Sequence, residues 1–149
     1  MRIAVVAPSA SNDLAFTQSI VDAVTVIEGE RDVEVAITDG TFVVEDAAAA
    51  IRDYASQGYD LVIAHGSQYG GSLSEIAQDF PETAFAWGTA ADTFGAPNVF
   101  AYEAASDEGG YVMGKMAAAL TTSNTIGVVG PGAAPDDNKV TVTVHGNRG

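Results

Sequence analysis

The stretch AAIRDYASQGYDLVIAHGSQYG, residues 49 to 70, carries the transition from which the fold is read. It opens inside an alanine-rich helix that runs from Asp46 to Ser56 and is closed by Gly58. Leu61-Val62-Ile63-Ala64 follows as a short continuous apolar run, the pattern of a buried strand, and His65-Gly66-Ser67-Gln68-Tyr69 is the loop after it. Helix, glycine, strand and polar loop within this span make one half of a crossover unit.

The same alternation extends in both directions. Upstream, Ile3 to Ala7 is a buried strand ended by Pro8 and Ser9. Ser11, Asn12 and Asp13 offer capping oxygens to a helix whose Phe16, Ile20, Ala23, Val24 and Ile27 share a face before Gly29, and Val33 to Ile37 is a second strand. Downstream, Ser72 to Gln78 is a short helix with Leu73, Ile76 and Ala77 on one side; Phe85 to Trp87 and Val99 to Tyr102 are strands. A helix from Ser106 or Asp107 to Leu120 places Tyr111, Met113, Met116 and Leu120 at core positions, and Ile126 to Val129 reads as a further strand. Strands alternating with crossover helices predict an α/β fold, an open doubly wound, mainly parallel sheet covered on both faces. After Gly130-Pro131 the register breaks down, and Val140, Val142 and Val144 alternate with Thr141, Thr143 and His145 at the period of one more strand.

Composition narrows the function. A chain of 149 residues suits one compact domain, which buries about 70% of its unfolded surface. Apolar residues at 47% and charged residues at 17% indicate a folded rather than disordered chain. Six basic against twenty acidic residues give a net charge of −14, which repels nucleic-acid phosphates and anionic lipid. The absence of cysteine removes disulfides, thiolate metal sites and thiol catalysis from this sequence. No apolar run approaches the roughly 20 residues of a membrane span, and Met1-Arg2 leads straight into a strand without a secretory segment. The expectation is a protein that stays inside or one whose export signal is not part of this sequence.

In an open parallel sheet the ligand crevice lies beyond the carboxyl ends of the strands. That rule selects Ser9, Ser11, Asn12, Asp13 and Phe16 after the first strand, His65 to Tyr69 after the third, and Trp87, Gly88 and Thr89 after the fourth. Enzyme motifs do not fit these loops. Pro8-Ser9-Ala10-Ser11 stands where a dinucleotide fold needs its glycines, and Gly114-Lys115 is mid-helix and followed by Met116, so it is no phosphate loop. His65-Gly66-Ser67-Gln68-Tyr69 resembles an esterase elbow but has Tyr69 where the tight turn needs glycine. His65 also occupies the place of a receiver domain's phosphorylatable aspartate. Two histidines eighty positions apart, with no carboxylate cluster nearby, make no metal site. Each selected residue has a structural reading too: Asn12 and Asp13 as helix caps, Phe16 and Trp87 as core, His65 as a hydrogen-bonded histidine at a strand end.

Five segments bear a more specific likeness: SNDLAFTQS (Ser11 to Ser19), AAIRDYASQGYDLVIAHGSQYG (Ala49 to Gly70), FPETAFAWGTAADTFGAPNVFAY (Phe80 to Tyr102), EGGYVMGKMAA (Glu108 to Ala118) and IGVVGP (Ile126 to Pro131). On these the chain resembles the basic membrane protein family, the PnrA-like nucleoside-binding lipoproteins of ABC importers. The resemblance implies one lobe of a two-lobed, type I periplasmic-binding fold that closes on a small solute, commonly a purine nucleoside. It divides the chain into an N-terminal solute-binding lobe, 1–131, and a divergent tail, 132–149, with one added strand, as in a truncated chain. It implies that Asn12 and Asp13 hydrogen-bond the base, that Phe16 stacks on it, and that His65, Gly66 and Ser67 line the cleft near the hinge. Many relatives carry an aspartate after the fourth strand; here Gly88-Thr89 stands there, and Thr89 takes the contact position.

The implied function is solute binding for an importer, with no catalysis, cofactor or metal. A permease would be the partner of the full-length parent, the location extracytoplasmic, and binding by one lobe weak or absent. A homo-oligomer would form through the exposed lobe face. The alternative is a stand-alone α/β interaction or sensor domain that has lost the transport role.

Overall fold

The computed structural model describes residues 1–128. These form two compact units, Met1–Glu103 and a second that begins at Ala104. In the first, five strands, β1 (Arg2–Val6), β2 (Glu34–Thr38), β3 (Leu61–Ala64), β4 (Ala84–Gly88) and β5 (Val99–Tyr102), make a sheet of order β2-β1-β3-β4-β5. Every pairing is parallel, with Ile3 opposite Val35 and Leu61, and Trp87 opposite Ala64 and Ala101. The order reverses between β1 and β3, which opens a crevice at their carboxyl ends.

Alternation along the central strands divides the core. Ala4, Val6, Val62, Ala64, Phe85 and Trp87 face α2 (Val44–Ser56) and α3 (Gly70–Asp79), packing with Ala47, Ile51, Leu73 and Ile76 in one cluster. Ile3, Val5, Ala7 and Ile63 form the other cluster with Val24 of α1 (Phe16–Glu30). The fold is the doubly wound parallel α/β layer that the alternation of elements predicts.

Element ends follow local chemistry. The helix that starts near Asp46 by composition starts at Val44, and its C-terminus is closed by Gly58 in the left-handed region, φ +74°. There the Tyr59 amide donates to the Tyr54 carbonyl at 3.2 Å and that of Gly58 to the Ala55 carbonyl at 3.0 Å. α3 begins two residues before the expected Ser72, continuing a single 3-10 turn at Ser67–Tyr69. On α1 only Thr17 and Val24 are fully buried; Ala23 and Ile27, expected on the covered face, are exposed.

Two expectations change. Residues 126–128, read as part of a strand over 126–129, lie in no strand. A strand exists by pairing, and this apolar run has no ladder with any described strand; Val128 is exposed. In the second unit α4 (Ser106–Leu120) has the expected bounds but no buried residue, so Met113, Met116 and Leu120 are not core. It is the only described element of that unit. The strand expected over Val140 to Val144 lies outside the described residues.

Candidate functional site

A cleft of about 370 Å³ lies at the carboxyl end of the sheet, lined by Pro8, Ser9, Phe16, Phe42, Gly66, Ser67, Gln68 and Thr89. These come from the ends of β1, β2, β3 and β4 and from the first turn of α1. No lining residue carries a charge.

One wall is built on Asp13. Residues Ser11 to Ala15 form turns and α1 begins at Phe16, so Asp13 caps the helix from outside. One carboxylate oxygen accepts the amides of Ala15 (2.9 Å) and Gln18 (3.1 Å); the other accepts the Ser9 hydroxyl (2.6 Å) and the Thr17 amide (3.1 Å). Four donors fill the lone-pair positions of an ionised carboxylate. The Ser9 hydroxyl first, then these amides, hold its pKa well below the usual carboxylate range. Since Ser9 donates to Asp13, the buried Thr17 hydroxyl donates to Ser9 Oγ at 2.7 Å. Asn12 is exposed in the same turn, and no hydrogen bond engages its side chain among the described residues.

Phe16 is 38% exposed and stacks on His65, ring centroids 4.0 Å apart at 20°. His65 is buried behind it with both nitrogens engaged, Nε2 at 3.1 Å from the Phe16 carbonyl oxygen and Nδ1 at 2.7 Å from the Tyr102 hydroxyl. Burial pushes the His65 pKa down, against the opposing pull of the Phe16 carbonyl and the Asp13 charge. A buried neutral imidazole without a free lone pair is a structural support and a poor proton acceptor.

Phe42 forms another wall and is 75% exposed. Its loop is nonetheless fixed. The Thr41 amide and hydroxyl both donate to the Ala7 carbonyl, at 3.1 and 2.8 Å, and the buried Tyr69 hydroxyl donates to the Thr41 carbonyl at 2.8 Å. Asp39, one turn earlier, accepts the Ser11 amide and hydroxyl at 2.6 and 2.5 Å, which ties this loop to the first and lowers its pKa. Applying the crevice rule to the second strand, as to the others, brings Phe42 into view from sequence.

The floor is the loop after β3. Gly66 is buried and admits no side chain: a Cβ there would stand 2.8 Å from Gln68 Oε1 and 2.9 Å from the Tyr69 ring. Its carbonyl accepts the Trp87 indole N–H at 3.0 Å, which locks the loop to β4. Ser67 and Gln68 keep side-chain donors and acceptors open to the cleft, with no partner among the described residues. Thr89 closes the rim at φ +59°, a left-handed conformation rare for a β-branched residue, its hydroxyl donating to the Gly88 carbonyl at 2.6 Å. The cleft thus brings together Phe16, Gly66, Ser67 and Thr89; Asp13 and His65 stand behind it, and Asn12 lies on the turn beside it. Among the described residues no group of histidines and carboxylates is arranged to hold a metal, and no helix is long and apolar enough to cross a membrane.

A parallel sheet with an uncharged, part-aromatic cleft at its switch point is the architecture of a small-molecule binding lobe. Residues 1–146 match the family described as ABC transporter substrate-binding protein PnrA-like, and the chain belongs to that family. The match includes most of the stretch from Gly132 onward. The chain is 26% identical over 128 residues to the transcriptional activator protein med of Bacillus subtilis (strain 168), covering 86% of this chain and 40% of that one. Among solved structures it is similar to an ABC transporter solute-binding protein of Conexibacter woesei DSM 14684, at TM-score 0.70 and 27% identity, covering 82% of this chain and 41% of that one. A second, from Aeropyrum pernix K1, shares the fold at TM-score 0.72 and 22% identity, with 79% and 32% covered. The matched part of the chain therefore spans 32–41% of the length of these relatives.

Proposed function

We propose that this chain is a solute-binding lobe of an ABC importer and that its solute is an uncharged nucleoside-like molecule. The observation that carries the reading is the cleft lining: two aromatic rings, open amide and hydroxyl groups, and no charge. Phe16 and Phe42 offer ring faces to a base, and Asn12, Ser67 and Gln68 read its edge. Asp13, His65 and Gly66 hold those groups in place, and Thr89 stands at the sugar side. A phosphate would find no cation among the lining residues and would meet a chain of net charge −14.

Stacking contributes about 1–3 kcal/mol per base and each open hydrogen bond about 1, so one lobe should hold a nucleoside at about millimolar Kd. Catalysis has no part in this role. The complete protein works outside the cytoplasm with a permease, residues 1–131 forming the lobe, and the face that meets a second lobe drives self-association when left open. Light scattering across a dilution series tests the last point; a monomer at every concentration contradicts it.

The test of the site is an NMR titration with inosine, adenosine and guanosine. Amide shifts should centre on Asn12, Phe16, Ser67 and Gln68, and Phe16→Ala should abolish them while the fold persists. Shifts centred elsewhere reject the site. A second reading, a sensor or interaction domain without transport, draws on the name of the Bacillus subtilis relative. A signal peptide and lipid-attachment cysteine encoded upstream would exclude it in favour of transport.

A further inference from the structure

We propose that Tyr102 is a positioning residue for the cleft: through the imidazole of His65, its hydroxyl fixes the pose of the Phe16 ring. The value of that pose for binding rests on the nucleoside reading above; the wire itself rests on geometry alone.

A carbonyl oxygen only accepts, so His65 Nε2, 3.1 Å from the Phe16 carbonyl, carries the ring proton. The neutral ring then has its lone pair on Nδ1, and the Tyr102 hydroxyl donates into it at 2.7 Å. The wire therefore has one direction, from Tyr102 through His65 to the Phe16 backbone. The same imidazole lies flat against the Phe16 side chain at 4.0 Å, so a single ring fixes both the main chain and the side chain of Phe16.

The sheet is built to let this wire pass. His65 follows β3 and Tyr102 ends β5, with β4 between them; Tyr102 stands opposite Gly88 in the register. A Cβ on Gly88 would lie 2.7 Å from the Tyr102 hydroxyl and 3.2 Å from His65 Nδ1. Glycine at that position leaves the gap the hydrogen bond occupies.

The direction of the wire belongs to the neutral state of His65. Burial pushes the Tyr102 pKa up to about 12, so its hydroxyl remains a donor at neutral pH. Protonation of His65 puts a second donor on Nδ1, facing the Tyr102 O–H, and Tyr102 must turn its proton away. Asp13, from the β1–α1 loop, is the charged group that acts on His65; Tyr102, from β5, is the other ionisable group facing it. The Nε2–H bond to the Phe16 carbonyl persists in either state, so protonation reverses the Tyr102 end of the wire and leaves the hold on the Phe16 backbone in place.

The experiment follows imidazole ¹⁵N and Phe16 ring ¹H shifts of the full chain against pH, in wild type, Tyr102→Phe and Gly88→Ala, with His145→Gln to assign His65. Wild type should show the Nε2–H tautomer, and its Phe16 ring signals should move with the His65 titration. Tyr102→Phe should raise the His65 midpoint and shift the Phe16 ring. Inosine at pH 8 should bind that variant about threefold or more weakly. An Nδ1–H tautomer, or Phe16 signals indifferent to the His65 titration, overturns the proposal even where both variants fail to fold. An unchanged His65 midpoint in folded Tyr102→Phe overturns it as well. If inosine leaves wild type unperturbed, the nucleoside reading falls while the tautomer and ring measurements still decide the wire.

Discussion

At Asp13, four hydrogen bonds to Ser9, Ala15, Thr17 and Gln18 turn a carboxylate beside the cleft into the anchor of the α1 entry. Its folded pKa lies below the unfolded value near 4, so the stability it contributes is present above that value and is lost as pH falls through the folded pKa. Asp39 acts in the same direction through Ser11. Thermal melts between pH 6 and pH 2 should therefore show Tm falling below about pH 4. Asp13→Asn should lower Tm by a few degrees at pH 7 and flatten that acid limb; an equally steep limb in the variant contradicts the capping role. Thr89 is strained in the opposite sense. Asparagine tolerates the left-handed region, so Thr89→Asn should gain about 0.5–1 kcal/mol by urea unfolding while removing the hydroxyl from the rim; a loss would mean that the threonine contributes packing which outweighs the strain.

At the scale of elements, the contact between α3 and β4 is the tightest constraint near the cleft. A Cβ on Gly70 would sit 2.2 Å from the Trp87 ring, which also stacks on Phe94 with centroids 5.0 Å apart. Gly70→Ala should cost about 1–3 kcal/mol and shift the emission of the only tryptophan in the sequence; unchanged stability and emission would mean that the helix start moves freely. Continuous apolar runs showed β3 and β5 in the sequence with their observed bounds, and α4 runs from the expected Ser106 to Leu120 although no side chain caps its start. The run at 126–128 misled because burial of a strand depends on a partner, which composition does not supply. The site was legible where its residues lie within three positions of a strand end, as Ser67 and Thr89 do. The crevice rule leads to the loop of Phe42 as well, but that loop is fixed in place by Ala7 and Tyr69, 34 and 28 residues from Thr41, which no local pattern shows. Tyr102, 37 residues from His65, became visible only once the register placed Gly88 beside it.

For the whole molecule, the sheet order, the family match and the charge point the same way: a crevice at the switch point, a substrate-binding family and a surface hostile to anions. The open polar groups at Ser67 and Gln68 and the exposed ring of Phe42 are features a closed core would not leave, and the neutral ring-bearing solute proposed above would use them all. The measurement that tests this most directly is a paired NMR titration of the chain with inosine and with inosine monophosphate at low ionic strength. The account predicts shifts at Phe16, Ser67, Gln68 and Thr89 with a Kd of about a millimolar for inosine, and binding at least tenfold weaker for the monophosphate. Tighter binding of the monophosphate, or inosine shifts centred away from these residues, would contradict it.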